Sequence, residues 1–428
     1  MSKHFTNKRK IINDPVHGFI GISSDLIFDL ISHPYVQRLR RIRQLGMTHF
    51  VYPGATHTRF QHAIGAMHLM QMAIGVIRSK NHRVTRQEEE AALAAILLHD
   101  IGHGPFSHTL ESSIIPYISH EHMSMTLMQE LNRQFDGKIS LAIDIFSGRY
   151  HKRFLHQLVT GQLDMDRLDY LKRDSFYTGV TEGVIGSDRI IKMLNVVNDE
   201  LVVEAKGIYS IEKFLIARRL MYWQVYFHKA VVAAENLLTM ILKRARQVLI
   251  SGDELFATPP LMFFLENNFS GDKHGLLSSP AAKEVINHFT DLDDDDIMSA
   301  AKVWRKHNDM ILSRLSEWFI NRLLYRVEFR NRIYPVKIIR QLKNVASNKY
   351  GINMDDTGYF VFTGDISNYA YRTEDEKIRI LYNDGSLADI SSASDMLNVS
   401  VLSKTVKKYF ICYPKELLNS NEVIELNK

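Results

Sequence analysis

Imidazole and carboxylate groups at His62, at the adjacent pair His99 and Asp100, and at Asp166 offer the mixed nitrogen and oxygen donor set that suits a divalent transition metal. A metal held in that way can polarise a phosphoryl oxygen, lower the pKa of a bound water and orient the two, which is the chemistry of phosphoester hydrolysis. Cys412 is the single cysteine, so paired thiolates for a structural zinc site are absent. Taken singly, each of the four has a plainer explanation. A lone histidine on an apolar helix face is more often a hydrogen-bonded core residue, and an adjacent His-Asp pair arises readily by chance.

The elements that must position these residues read as helices. From about residue 60 to 250, apolar residues recur at three- and four-residue intervals, and His62, Ala66, Leu69, Ala73 and Val76 form one such stripe. The segment Gln87 to His99 has acidic residues in its first turn and an apolar run after them, so His99 and Asp100 fall at its end. Gly102, Gly104 and Pro105 then mark a tight loop beside that end. One donor at the start of a helix, two at the end of another and one on a third can converge inside a bundle. Asp293 to Asp296 lack the alternation and glycine of a calcium loop and read as a helix start. Beyond about residue 330 the texture turns to β-favouring runs, Tyr359 to Phe362 and Lys407 to Tyr413. Asn383-Asp384-Gly385, following Ile378 to Tyr382, is a hairpin signal.

The bulk numbers bound the answer without choosing it. A chain of 428 residues exceeds what one core usually organises, and 45% hydrophobic with 24% charged residues is an ordinary globular balance. The apolar stretch Ala91 to Leu98 is far short of the roughly 18 residues that suggest a membrane span, so no membrane partner is expected. The N-terminus lacks the apolar segment of a secretory signal, and with one cysteine a reducing cytoplasm is the expected location. The net charge of +5 and a pI near 9 are compatible with anionic partners. Arg38, Arg40, Arg41 and Arg43 form the densest basic cluster, either a solvated helix face or an anion-binding surface.

The text around the four donors is more specific. Arg59-Phe60-Gln61-His62, His99-Asp100-Ile101-Gly102-His103-Gly104-Pro105-Phe106-Ser107-His108, His120-Glu121 and Asp164-Met165-Asp166-Arg167-Leu168-Asp169-Tyr170 occur in order. They are preceded by Ile12-Asn13-Asp14-Pro15-Val16-His17-Gly18, by Gln37 to Gly46 and by Tyr52-Pro53-Gly54-Ala55. Over residues 10 to 330 the chain resembles the SAM-and-HD-domain deoxynucleoside triphosphate triphosphohydrolases and their bacterial relatives, with no SAM domain expected ahead of it. The fold this implies is mainly α, an HD-domain helical bundle core with a smaller α+β C-terminal subdomain. The expected divisions are a catalytic core over 1–250, a helical extension packing on it over 251–330, and the α+β part over 331–428.

By that resemblance His62, His99, Asp100 and Asp166 match metal ligands, the ion being iron, manganese, nickel or zinc, with magnesium as a possible companion. His103, His108 and His120 match histidines around the scissile phosphate, and Glu111 the carboxylate that accompanies them; His120 with Glu111, or His108, is the expected general acid. Arg59, Arg167 and Arg218 match phosphate-neutralising residues, Arg167 standing where many relatives carry lysine. Gln44 and Asp174 match partners of the sugar 3′-hydroxyl, Leu45 and Tyr226 match residues crowding the 2′ position, and Tyr170 and Tyr226 contact sugar or base. Tyr222 stands where better-known relatives have histidine.

The resemblance also implies a regulatory nucleotide site between subunits of a dimer or tetramer, matched by Lys10, Ile11, Gln37, Arg40 and Arg322. Ser32 occupies the place of the family's guanine-reading aspartate, and a hydroxyl lacks the two acceptors a carboxylate offers guanine. The expected activity is hydrolysis of dNTPs to deoxynucleoside and inorganic triphosphate. The rivals are hydrolysis of another nucleotide and, from the basic pI, a nucleic-acid-binding regulator with a vestigial site.

Overall fold

The two helices that carry the first three donors begin where the sequence supplies caps. Thr58 with Gln61 caps the helix Arg59–Ser79 reciprocally, and Thr85 with Glu88 caps Arg86–Leu98 in the same way. In the computed structural model, which describes residues 10–106, 113, 119–267, 282–368, 377–395 and 406–418, these helices pack on each other. The first also packs along Met165–Thr178. Asp164 caps that third helix, and Gly179, at φ 74, ends it in the left-handed conformation glycine accepts most easily. Ala63, Ala66, Leu69, Ala92, Ala95 and Leu168 are completely buried in the bundle. The mainly helical bundle expected from the sequence is therefore the observed architecture, and Arg86–Leu98 stops at His99, its C-cap residue.

Ahead of the bundle, strands β1 (Ile11–Asp14) and β2 (Gly18–Gly21) form an antiparallel hairpin with Asp14 opposite Gly18. Among the described residues of 60 to 250, which read as predominantly helix, one strand pair interrupts the helices. There β3 (Leu194–Val197) and β4 (Glu200–Glu204) make a hairpin, turning through Asn198 and Asp199, which both hold positive φ. Four- and five-residue strands are too short to break a periodicity read over longer windows.

Strand β5 (Arg326–Arg330) belongs to a sheet in the order β5-β9-β6, with β6 spanning Phe362–Asn368 and β9 spanning Val406–Tyr413. The run Tyr359 to Phe362 is not a strand throughout. Asp356–Tyr359 is a 3-10 turn, and the N–H groups of Phe360 and Val361 both donate back to the carbonyl of Thr357, so the strand starts only at Phe362. The Asn383-Asp384-Gly385 hairpin is present, joining β7 (Arg379–Leu381) to β8 (Leu387–Asp389), with Gly385 at φ 85. Strand β7 pairs in parallel with β4, so the C-terminal hairpin extends a sheet of the helical body.

The acidic run is a helix start: Asp293 caps Asp294–Trp304, with Asp296 reaching back to its backbone. The arginine cluster is not a solvated face throughout. Arg38 is buried and donates to the carbonyls of Leu292 (3.1 Å), Ile101 (3.3 Å) and His103 (2.9 Å). Arg41 pairs with Asp293. Among the described residues no single helix is long and apolar enough to cross a membrane; Ala205–Tyr226 and Lys229–Ile250 meet the test only as a pair bent by 56°.

Candidate metal centre and its cavity

His62 lies in the first turn of its helix, fully buried, and His99 lies at the end of the next. The His99 Nδ1–H donates to the carbonyl of Ile96 at 2.6 Å, and the His62 Nδ1–H donates to Asp169 Oδ2 at 2.8 Å. Each ring therefore turns Nε2 toward the other and toward Asp166, whose Oδ1 is 3.1 Å from His62 Nε2 and 3.5 Å from His99 Nε2. Both Nε2 atoms are buried without a hydrogen-bonding partner among the described residues. Donor atoms of His62, His99 and Asp166 lie within 4.8 Å of one another, which fits a divalent cation.

Asp100 adjoins this group, its carboxylate within 3.8 Å of both imidazole Nε2 atoms. Its Oδ2 accepts from Arg59 Nη1 at 2.6 Å and lies 3.8 Å from His62 Nε2, while its Oδ1 is 3.4 Å from His99 Nε2 and 3.2 Å from His103 Nε2. Burial works against its charge, but His99, His103 and Arg59 hold it well below the usual carboxylate range. His103 is pushed well below the ordinary imidazole value by burial and by Arg59, so it is neutral near pH 7. Burial opposes charge on His62 too, yet Asp166 and Asp169 raise it to about 10.

Behind the donors runs a buried network that the sequence reading left without roles. Asp169 also accepts from His17 Nε2 at 2.7 Å and from Arg173 Nε at 2.9 Å, and Arg173 Nη1 reaches Asp14 Oδ2 at 2.8 Å. Asp14 in turn accepts from the backbone N–H of Val16 and His17, tying the first hairpin to the metal side. The i, i+4 spacing of Asp169 and Arg173, one turn after Asp166, is the signal that could have found it. Gly65 leaves room for it: a Cβ there would lie 2.1 Å from Asp169 Oδ1.

A cavity of about 460 Å³ opens from the donors. Asp100, Asp166, His103, His120, Arg59, Arg167 and Arg218 line it, as do Gln44, Leu45, Tyr170, Asp174, Tyr222 and Tyr226. Of the residues expected at the site, all of those described are thus at the donors or on this wall; His108 and Glu111 lie outside the described residues. A Cβ on Gly102 would strike His120 O and Ser124 N at 2.2 Å, and that close approach brings the start of the helix His120–Gln134 over the loop. The rings of His120 and His103 stack at 4.0 Å. Arg167 is also engaged by Asp164.

A π-helical turn over Tyr222–Tyr226 sets both tyrosines on the cavity wall. The Tyr226 hydroxyl donates to Asp174 Oδ2 at 2.7 Å, and His57 Nε2–H donates to Asp174 Oδ1 at 2.8 Å. His57, buried and stacked on Tyr177, was not anticipated. Gln44 Oε1 is a buried acceptor with no partner among the described residues.

The residues expected at a regulatory site make their own contacts. Gln37 donates to Ile31 O and accepts from Arg40 Nε, Arg40 lies over the Phe60 ring, Lys10 lies over Phe28, and Ile11 is exposed. Arg322 donates to Phe50 O at 2.8 Å and lines a different cavity, with Lys229 and Arg326.

Residues 59–174 match the HD domain family and residues 185–258 the HD associated region. The crystal structure of a phosphohydrolase from Bacteroides thetaiotaomicron is 54% identical, with a TM-score of 0.91 over 95% of this chain and 99% of that one. The uncharacterized protein YwfO of Bacillus subtilis is 31% identical across 96% of this chain and 94% of its own length. The deoxynucleoside triphosphate triphosphohydrolase SAMHD1 homolog of Dictyostelium discoideum is 32% identical over 58% of this chain; that match spans about half, 51%, of the relative.

Proposed function

The chain belongs to the HD-domain phosphohydrolase family, and from that premise we propose that it hydrolyses deoxynucleoside triphosphates to a deoxynucleoside and inorganic triphosphate. The observation that carries the reading is one cavity whose wall holds Asp100 and Asp166 of the donor region, the arginines Arg59, Arg167 and Arg218, and the group Gln44, Asp174 and Tyr226. A hydrolase of simple phosphate esters has no need of the last group.

His62, His99 and Asp166, with Asp100 alongside, would hold a divalent ion that supplies Lewis acidity toward a phosphoryl oxygen and lowers the pKa of water. The three arginines neutralise phosphate oxygens and fix their orientation. Gln44 Oε1 and Asp174 accept from a sugar hydroxyl, and His57 with Tyr226 holds the Asp174 carboxylate in place for it. Leu45 and Tyr226 leave no polar partner at the 2′ position, where a buried extra hydroxyl is costly. His120 gives a proton to the departing 5′-oxygen.

The test is incubation of the purified protein with each dNTP and with their mixture, across iron, manganese, nickel, zinc and magnesium, with products separated by chromatography. Deoxynucleoside plus triphosphate supports the reading. Release of monophosphate or pyrophosphate, or no turnover on any dNTP, refutes it. Nucleotide-driven assembly through Gln37, Arg40 and Arg322 belongs to the same proposal. Light scattering with GTP, dGTP, dATP or no nucleotide checks it, the absence of a guanine-reading carboxylate at Ser32 predicting no selectivity for GTP.

A further inference from the structure

One carboxylate on the cavity wall is used by none of these roles. Glu235 lies on the helix Lys229–Ile250, one turn after Val231, and both line the cavity, as do Thr48 and Phe227. That helix packs chiefly on Met310–Ile320, on β5, on Pro259–Glu266 and on the turn Gly46–Phe50, whereas the donors sit on Arg59–Ser79, Met165–Thr178 and the end of Arg86–Leu98. Glu235 thus enters the cavity wall from a helix that packs on the Gly46–Phe50 turn, which follows Leu45, and not chiefly on the three helices that carry the donors. Among the described residues its carboxylate has no hydrogen-bonding or ionic partner; the bond its residue makes is through the backbone carbonyl, from the Thr239 hydroxyl.

A carboxylate in a cavity wall without a cation is unsatisfied until something in the cavity donates to it. Burial, with no cation to offset it, pushes this carboxyl up to about 7. With a triphosphate drawn to the arginines and the sugar set between Gln44 and Asp174, the part of a nucleotide left to reach Glu235 is the base.

We propose that Glu235 reads the base, favouring nucleotides whose base presents an exocyclic amino group, with guanine the best fit. Guanine offers adjacent N1–H and N2–H donors to the two carboxylate oxygens; cytosine and adenine offer one amino group each. Thymine offers a single N3–H between two carbonyl oxygens, which face the carboxylate unfavourably. This inference rests on the nucleotide reading above.

The experiment compares kcat/KM for dGTP, dATP, dCTP and dTTP in the wild type, Glu235→Ala and Glu235→Gln, each loaded with the same metal. The wild type is expected to prefer dGTP to dTTP, and Glu235→Ala to shrink that ratio by about tenfold. Glu235→Gln, which adds an amide donor, shifts the preference further toward dTTP. Titration calorimetry of the metal-free protein with the same four nucleotides reads the preference without turnover. Hydrolysis with ratios unchanged in both variants, or equal losses on all four nucleotides, overturns the Glu235 assignment and leaves the dNTPase reading standing. Base-selective binding without hydrolysis overturns the dNTPase reading alone, and absence of binding to all four overturns both.

Discussion

Asp169 accepts a 2.8 Å hydrogen bond from Nδ1 of His62, so the carboxylate that aims this imidazole is not itself at the donor cluster. The same carboxylate is held by Arg173 and His17 and is fully buried. Substituting Asp169→Asn removes the charge but keeps the shape. Loss of such a supporting partner typically costs 10- to 100-fold in metal affinity, and leaving Arg173 short of a counter-charge costs about 3 kcal/mol of stability. Metal titration and urea unfolding of the variant measure the two effects. Affinity equal to wild type would show that His62 needs no such support.

Gly65 and Gly75 lie on one helix and predict opposite signs. A Cβ at Gly65 would lie 2.1 Å from Asp169 Oδ1 and 2.2 Å from Arg173 Nη2, while one at Gly75 meets nothing within 4 Å. Gly65→Ala is expected to lose about 1–3 kcal/mol through overpacking and to weaken metal binding by displacing Asp169. Gly75→Ala is expected to gain up to about 1 kcal/mol from helix propensity. Denaturant midpoints check the pair; a stable, metal-replete Gly65→Ala would mean that the network tolerates being moved.

The metal-free protein should lose stability in alkali. His62 is raised from 6.5 to about 10 by Asp166 and Asp169 against the effect of burial. Its imidazolium therefore stabilises the fold fully below about pH 6.5, and that contribution disappears as pH climbs through 10. A metal ion must displace the same proton, so affinity should rise with pH over this window, by about tenfold per unit for each proton released. Thermal melts of chelator-treated and metal-saturated samples from pH 6 to 10 read both trends. A flat chelated profile would contradict the charged His62.

The donors were legible from the ordered motifs around them and the resemblance these carry, and the structure sets each near a helix start or end. His62 follows the Thr58 cap, His99 ends an apolar run, and Asp166 follows Asp164. Their supports were legible only in the i, i+4 spacing of Asp169 and Arg173; Asp14 and Arg173 meet across 159 positions, and no local period encodes that contact. Arg38 fits neither reading of its cluster, solvated face or anion-binding surface, because three carbonyls from distant segments draw it inside. The hairpin that contains β7 was legible from Asn383-Asp384-Gly385, but its parallel pairing with β4 was not, because it joins segments about 180 residues apart and no local pattern encodes it.

The proton donor is the last assignment open to a direct trial. His103 is neutral near pH 7, since burial and Arg59 push it well below the ordinary value, and its Nε2 faces Asp100. A neutral imidazole so placed is a poor acid, which leaves His120, stacked on it at 4.0 Å and lining the same cavity. Removing a general acid slows a reaction by about 10²-fold or more, and the loss depends on how much the leaving group needs the proton. His120→Ala should therefore slow dNTP hydrolysis by about 10²-fold with metal content unchanged, and slow a p-nitrophenyl phosphodiester, whose leaving group needs no proton, far less. Equal losses on the two substrates would make His120 a phosphate-binding residue, and near-normal dNTP turnover would return the acid role to His108.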